Sequence, residues 1–550
     1  MKDKYLANTY VQLAVLLLLT GLTFFTHLGA LEPTLMEARN FITAREMTEH
    51  HNWLIPTMNG ELRLAKPPLP TWATALAGVR AGDMYNLAAL RFPASVMAGL
   101  TVLFLFLLAR QLTRDRLVPF LAGLVLLSSY LFVHLGRQAT WDIYCHSFML
   151  GAIWLFVVAY RRQGQQYGVF ALSGLFLGLS FMSKGPVSFY ALLLPFLLSY
   201  AYGYGLREVK EKRNGMLLAL GICAVVAMLW PLYVHVAEPE SLSRNMSAES
   251  TAWISRHVKA VWYYWTFPGE MGLWTLLTFV ALLAPYARPR IGRYGNYRFL
   301  AAWVLVSVVL LSLVPEKKER YLLPMLLPMA LLTAHYLKYL IDAFAAGRGS
   351  AWDRRILQAF GGITALAVGA VPVFLYFFAY RVQAISVGAL AAFSVFFLAA
   401  AAGVLWLVRK KAAANLFISG VGLHVVLLMV AIPIYERITA PAHDYAGLEE
   451  VRELNELRLL PFYSVNGMRP ESVWEVGKEV DTIRIVNRRL QIPGKLPAIV
   501  FSVKPIPIGA APAAGEVWLR KLNVYNYSTE APEKKYHMYL LTERTPQEGS

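Results

Sequence analysis

Apolar runs of about twenty residues recur along the chain to about residue 433, separated by short polar clusters, and then stop. Runs of that length cross the hydrocarbon core of a bilayer as helices. About thirteen are expected, at about 10–29, 88–109, 117–136, 143–160, 167–183, 186–204, 216–235, 271–287, 299–315, 321–340, 357–379, 384–408 and 412–433. The clusters between them alternate in kind. One set is short and basic: "RQLTRDR" (110–116), "RR" (161–162), "REVKEKR" (207–213), "RPRIGRYGNYR" (288–298), "GRGSAWDRR" (347–355) and "RKK" (409–411). Lys and Arg accumulate on the inner side of a membrane, so these loops and the N-terminus are expected inside.

The other set mixes acids, cations, His and aromatics. It comprises the long loops 30–87 and 236–270, "GRQATWD" (136–142), "SKGP" (183–186) and "PEKKER" (315–320), all expected outside. In "PTLMEARNFITAREMTEH", Leu35, Ala38, Phe41, Ile42 and Met47 fall near one helical face. That pattern suits a helix lying along the membrane interface. "AESTAWISRHVKAVWYYW" (248–265) offers a second, with Trp and Tyr placed for the headgroup zone. The expected organisation is a membrane domain over 1–433 and a small α/β domain over 434–550 on the outer side. In the latter, "LEEVRELNELR" reads as helix and "TIRIV", "AIVFSV", "LNVYNY" and "HMYLLT" as strands, with "KPIPIGAAPAAG" a loop.

Composition agrees. Hydrophobic residues are 57% and charged residues 16% of the 550, against roughly 25% charged in soluble domains. Mean hydropathy is +0.46. The net charge of +18 lies in loops where membrane topology explains it, and no basic-aromatic groove for nucleic acid is visible. Two cysteines, Cys145 and Cys223, do not make a disulfide scaffold. The first apolar run is long and lacks a small-residue cleavage site, so it reads as a span rather than a removed signal peptide.

Chemistry, then, is sought in the outer set. Glu37 stands where the chain leaves the first run, and reads either as a solvated acid paired with Arg39 or as a working carboxylate. Asp142 opens a span directly after a polar stretch. It is either a first-turn acid favoured by the helix dipole or a group that orients an acceptor and takes its proton. Lys66, Lys184, Arg256, His257, Lys317, Lys318 and Arg320 all fall on the side where basic residues are disfavoured. Singly, each suits an interfacial side chain reaching for water. Converging from four corners, they suit a ligand whose phosphate sits at the membrane surface. His50, His51, His134 and His146 make no metal-ligand spacing. Walker, dinucleotide and G-x-S-x-G motifs are absent from the sequence.

Taken together, "EARNFITAREM", "NWLIPTMNGELRLAKPPLPTW", "LRFPASVMAGLTVL", the Asp142 segment, "MSKGP", "HVKAVWYYW" and "RYLLPMLLPMALL" resemble the bacterial lipid A aminoarabinose transferases and the related protein O-mannosyltransferase-like enzymes. The resemblance runs in order over roughly residues 10–340. It implies the GT-C fold and transfer of a sugar (aminoarabinose or a related one) from a polyprenyl phosphate donor to lipid A or another periplasmic acceptor at the bacterial inner membrane, with inversion at the anomeric carbon. Protein or polysaccharide acceptors remain open. A transporter or flippase is the reading from another class, and would put ionisable residues within spans rather than at their ends. By matching positions, Glu37 and Asp142 would be catalytic, and Lys66, Lys184, Lys318 and Arg320 would bind the donor phosphate. Arg39, Arg256, His257 and Tyr321 would bind substrate. The chain departs from the pattern at Met36, where an acid is usual, at Asn40, where the family has Tyr or Phe, and at Ala65, where an acid often precedes the Lys-Pro. Fewer acids weaken the case for a bridging divalent metal.

Overall fold

The computed structural model describes residues 8–206, 209–439, 446–486, 489–491, 496–506, 517–526 and 535–543. The chain divides into two compact units. The first holds residues 1–30, 64–81 and 85–434; the second holds 31–63, 82–84 and 435–550.

The first unit is helical. In chain order it holds α1 (Thr9–Phe24), α3 (Leu69–Ala81), α4 (Leu87–Leu112), α5 (Val118–Leu127), α6 (Tyr130–Gly136), α7 (Trp141–Arg161), α8 (Tyr167–Lys184) and α9 (Leu194–Tyr204). It continues with α10 (Val209–Ala237), α11 (Pro239–Ser255), a 3₁₀ segment (Val261–Trp274), α12 (Thr275–Leu282), α13 (Ala284–Ile291), α14 (Tyr297–Leu313) and α15 (Leu323–Ala345). It ends in α16 (Ala351–Leu375), α17 (Val387–Arg409) and α18 (Ala413–Thr439). Every expected apolar run falls on helix. Among the described residues seven helices are long and apolar enough to cross a membrane, or nine if each of two bent pairs is one span; the number thirteen is not established by that measure.

The bends have local causes. Between α5 and α6, turned by 66°, Ser128 and Ser129 hydroxyls donate back to the Leu124 and Val125 carbonyls at 2.6 Å, a bond that competes with the helical ladder and bends it. Between α12 and α13, turned by 94°, Leu283 leaves the helical region at ψ 88 just ahead of Pro285, which has no N–H to continue the ladder. Small residues let spans approach: a Cβ added to Gly174 of α8 would fall inside the Ala219 carbonyl of α10. Buried Arg137 closes the end of the first span, donating to the carbonyls of Thr23 (2.5 Å), Thr26 (2.6 Å) and His27 (3.1 Å).

The second expected interfacial helix is broken. α11 stops at Ser255, and His257 takes a positive φ of 51°. The cause is a strand-like pairing: Val258 bridges Glu316, Lys317 N–H donates to the His257 carbonyl (3.2 Å), and Lys259 N–H donates to that of Pro315 (3.3 Å). Trp262 and Trp265, just beyond, are three-quarters exposed.

The second unit holds α2 (Leu35–Glu49), a hairpin of β1 (Thr57–Met58) and β2 (Glu61–Leu62), a helix α19 (Pro470–Val476) and a six-stranded sheet. The strands are β3 (Phe462–Val465), β4 (Asp481–Val486), β5 (Arg489–Gln491), β6 (Ala498–Ser502), β7 (Val517–Asn526) and β8 (Lys535–Glu543), ordered β5-β4-β3-β6-β8-β7. β3 runs parallel to β4 and β6; the remaining pairs are antiparallel. β3 and β6 are buried at every residue, as central strands covered on both faces are. α2 corrects an expectation. Its apolar residues Ala38, Phe41, Ile42 and Met47 are buried in protein, and Phe41 meets Trp474 of α19 at 5.6 Å between ring centroids, so that face is not laid into a membrane interface. "LEEVRELNELR" forms two short 3₁₀ turns (Leu448–Glu453 and Asn455–Leu457) rather than an α-helix. Most of the "KPIPIGAAPAAG" stretch lies outside the described residues.

Candidate active site

In the first unit, charged residues from distant segments meet at one end of the spans. Asp142 is the second residue of α7, where the helix dipole favours an anion. Its Oδ1 accepts a short hydrogen bond from Nζ of Lys184, the last residue of α8; both side chains are buried. Lys184 Nζ also lies 5.2 Å from the centroid of the Tyr321 ring. Lys318 Nζ and the Arg320 guanidinium approach the same ring, each at 5.7 Å. Tyr321 is thus surrounded by three cations. Burial, with Glu316 adding, pushes its phenol up to about 12 against the opposing charge of Arg320, so it stays a donor at neutral pH.

The loop that presents these cations is fixed by its own network. Glu316, buried, accepts from Lys318 Nζ at 2.7 Å and from Arg256 Nε at 3.4 Å. Burial alone would raise the Glu316 carboxyl, but the Lys318 hydrogen bond and charge, with Arg256, hold it below its ordinary value. Lys318 moves down, first through burial and then through Arg320 and Arg256, with Glu316 opposing. Lys317 points away, donating to the Val314 (2.6 Å) and Lys259 (3.2 Å) carbonyls. Tyr264 clamps the backbone: its hydroxyl donates to the Lys318 carbonyl (3.0 Å) and accepts from the Lys318 N–H (3.1 Å). His146 stands one turn along α7 from Asp142, and Arg320 is close enough for its charge to act on Asp142. Among the described residues, His146 Nδ1 and Arg320 Nε are buried without a hydrogen-bond partner.

An apolar groove of about 920 Å³ runs between the 3₁₀ segment, α12, α16 and α18, walled by Phe279, Phe360, Val371 and Leu423. Its lining includes Trp265, the residue after the Tyr264 clamp.

The structure therefore brings together Asp142, Lys184, Lys318, Arg320 and Tyr321. Lys66, half-buried ahead of α3, is near enough for its charge, like those of Lys184 and Asp142, to act on Cys145 of α7. Arg256 takes part through Glu316. His257 does so through its carbonyl only, its side chain being exposed. Glu37 and Arg39 lie on α2 of the second unit. There the Glu37 carboxylate closes a capping box, accepting from the Thr34 N–H (3.0 Å) and hydroxyl (3.1 Å), while the Thr34 hydroxyl accepts from the Glu37 N–H (3.4 Å). The capping box gives Glu37 a structural duty at the start of α2.

Glu316 and Tyr264 were not singled out in the sequence, and His146 was weighed there only as a metal ligand. For Glu316 a signal existed: in an extended segment residues two apart share a side, which pairs Glu316 with Lys318. Among the described residues one group could hold a metal: the ligand atoms of Glu46, His50 and Glu479 lie within 4.8 Å of one another, in the second unit. His50 thus has a partner that spacing along the sequence did not show. The Glu46 carboxylate, however, is already engaged by the Thr57 hydroxyl (2.6 Å) and the N–H groups of Asn59 (2.6 Å) and Gly60 (3.3 Å).

A bundle of apolar spans with a phenol-centred ring of cations at one end defines a polytopic membrane protein, and its architecture is the GT-C fold. The particular likeness is to aminoarabinose transferases. The structure superimposes on the crystal structure of ArnT from Cupriavidus metallidurans in the apo state with a TM-score of 0.71, at 16% identity, covering 98% of this chain and 99% of that one. The form of that protein bound to undecaprenyl phosphate matches equally, at 17% identity. Residues 65–230 match the family model for dolichyl-phosphate-mannose-protein mannosyltransferases. In sequence, the chain is 30% identical over 309 residues to undecaprenyl phosphate-alpha-4-amino-4-deoxy-L-arabinose arabinosyl transferase 1 of Pseudomonas fluorescens, covering 54% of this chain and 52% of that one. It is 29% identical over 312 residues to the transferase of Yersinia enterocolitica, covering 54% of each. The chain spans about half the length of the curated relatives it matches.

Proposed function

We propose that the protein is an integral membrane glycosyltransferase. It moves a sugar from a polyprenyl phosphate donor to lipid A or another periplasmic acceptor, at the outer face of the bacterial inner membrane. The observation that carries this reading is the set of Lys184, Lys318 and Arg320 around Tyr321; an apolar groove lined from Trp265, the residue after the Tyr264 clamp, offers room for a lipid tail. Such an arrangement suits an amphiphile with an apolar tail and an anionic head. The names of the relatives supply undecaprenyl phosphate as that amphiphile and 4-amino-4-deoxy-L-arabinose as the sugar.

In the reaction the bond between the anomeric carbon and the donor phosphate oxygen breaks, and its electron pair leaves with the polyprenyl phosphate. An acceptor oxygen bonds the same carbon from the opposite face, which inverts it. Fixed cations help most where charge develops, so Lys184, Arg320 and Lys318 hold the departing phosphate, and Lys66 joins them. Tyr321 donates its O–H to a phosphate oxygen. Asp142 spends its carboxylate on Lys184, which makes it a positioning residue for that cation rather than a free base. Glu316 does the same for Lys318. A phosphate acceptor, already ionised, needs no proton removed, and this favours lipid A over a protein hydroxyl.

The test is transfer in proteoliposomes from undecaprenyl-phosphate-linked aminoarabinose to lipid A, read by mass spectrometry. Modified lipid A and free undecaprenyl phosphate are expected, both lost in Arg320→Ala. Donor that crosses the bilayer with its sugar intact would identify a transporter instead.

A further inference from the structure

A second charged concavity lies at the other end of α7. α7 runs for twenty-one residues from Trp141 to Arg161, so the helix carries the two ends about 30 Å apart, the thickness of a hydrocarbon core. A cleft of about 850 Å³ opens there, lined by five arginines: Arg114, Arg161, Arg288, Arg293 and Arg298. They come from three separate segments, and no carboxylate is among the lining residues. Arg114, Arg288, Arg293 and Arg298 make no ion pair among the described residues.

The walls are built rather than loose. Arg161 is stacked over Tyr204 (4.8 Å) and Tyr200 (5.9 Å), and donates to the Tyr200 hydroxyl (3.2 Å) and the Gln111 carbonyl. Thr113 and Arg114 are tied to the Tyr294 carbonyl through a hydroxyl (2.9 Å) and an N–H (3.1 Å). Asn296 is tied to the Gly203 carbonyl at 2.7 Å. The 288–298 connection sits so close to α15 that a Cβ on Gly295 would meet His335 Nε2 at 2.5 Å. Membrane topology explains why arginines occur in these loops. It does not explain why five of them face one cleft whose walls are cross-tied.

We infer that this cleft binds the phosphodiester headgroup of an anionic glycerophospholipid in the leaflet opposite the Asp142 centre. Guanidinium forks match phosphate oxygens in geometry and charge. The position, at span ends with Tyr204 and Tyr297 in the lining, is where a lipid headgroup sits, and basic pockets between spans hold such headgroups.

The experiment uses the full chain in detergent. Retention of phosphatidylglycerol, cardiolipin and phosphatidylcholine is measured by native mass spectrometry, for the native protein and Arg288→Gln/Arg293→Gln. Both positions are exposed, and thermal melting confirms that the double variant folds. The native protein is expected to keep one anionic phospholipid under conditions that strip phosphatidylcholine, and the double variant to bind it about 30-fold more weakly. Equal retention of phosphatidylcholine, or unchanged retention in the variant, overturns the inference. So does displacement of the lipid by excess inorganic phosphate, which would mark a site for the free anion. Retention is read without turnover, so its failure is distinguishable from failure of the proposed transfer.

Discussion

The Asp142–Lys184 pair allows two roles to be separated in one set of variants. The side chains are 2% and 7% exposed, so Asp142→Asn leaves an ammonium buried without its counter-charge. Breaking a buried pair from one side costs about 3–5 kcal/mol, whereas replacing both partners with neutral groups of similar size is close to neutral. Asp142→Asn and Lys184→Met are each expected to melt well below the native protein, and Asp142→Asn/Lys184→Met to recover most of that loss. Rate should behave otherwise. Removing one fixed group that stabilises developing charge costs about 100- to 1,000-fold, and a refolded interior does not restore it. The assay pairs thermal melting with initial rates of sugar transfer in proteoliposomes. A double variant that melts normally and transfers at close to the native rate would refute the reasoning, because the Lys184 charge could then not be holding the departing phosphate.

Three further outcomes are expected. Tyr264→Phe loses both bonds to the Lys318 backbone, a cost of about 1 kcal/mol for each; hydrogen exchange over 315–320 should quicken and transfer should slow. Gly174→Leu forces a side chain into Ala219 of α10 and should lower stability by about 1–3 kcal/mol, seen as a lower melting temperature. In the second unit Glu475 is pushed up to about 8, first by burial and then by Glu449, Glu32 and Glu471, with Arg452 opposing. A carboxyl raised in the folded state gives stability that is present in full below its ordinary value of 4.5 and is lost as pH rises through about 8. Exchange over α19, corrected for intrinsic rate, should therefore be faster at pH 9 than at pH 6, and Glu475→Gln should remove the difference.

The apolar runs were legible because a span must satisfy its own backbone and show an apolar surface over its whole length, a demand written in consecutive residues. The bends were not, since Ser128, Ser129 and Pro285 are tolerated in straight helices as well. α2 misled for a physical reason: its apolar face is the same whether lipid or Trp474 covers it. The cations of the site were legible singly, as basic residues on a side where they are disfavoured. Their gathering around Tyr321 depends on distances between α7, α8 and the 315–322 loop that no local pattern encodes. Glu37 illustrates the converse. Its spacing from Thr34 is that of a capping box, a local signal of the cap the structure shows. β3 was passed over because four buried residues give too short a run to distinguish strand from loop.

Arg137 carries a consequence for how the molecule is made. It clasps carbonyls that lie 110 to 114 residues earlier in the chain. A ribosome has therefore threaded α4, α5 and α6 before the clasp exists, and until then the Thr23 and Thr26 carbonyls at the end of α1 lack the partner that Arg137 gives them. Biogenesis of this protein is thus not strictly first come, first finished: α1 is locked only by a residue that follows α4, α5 and α6, and a nascent chain arrested short of residue 137 holds α1 without its clasp.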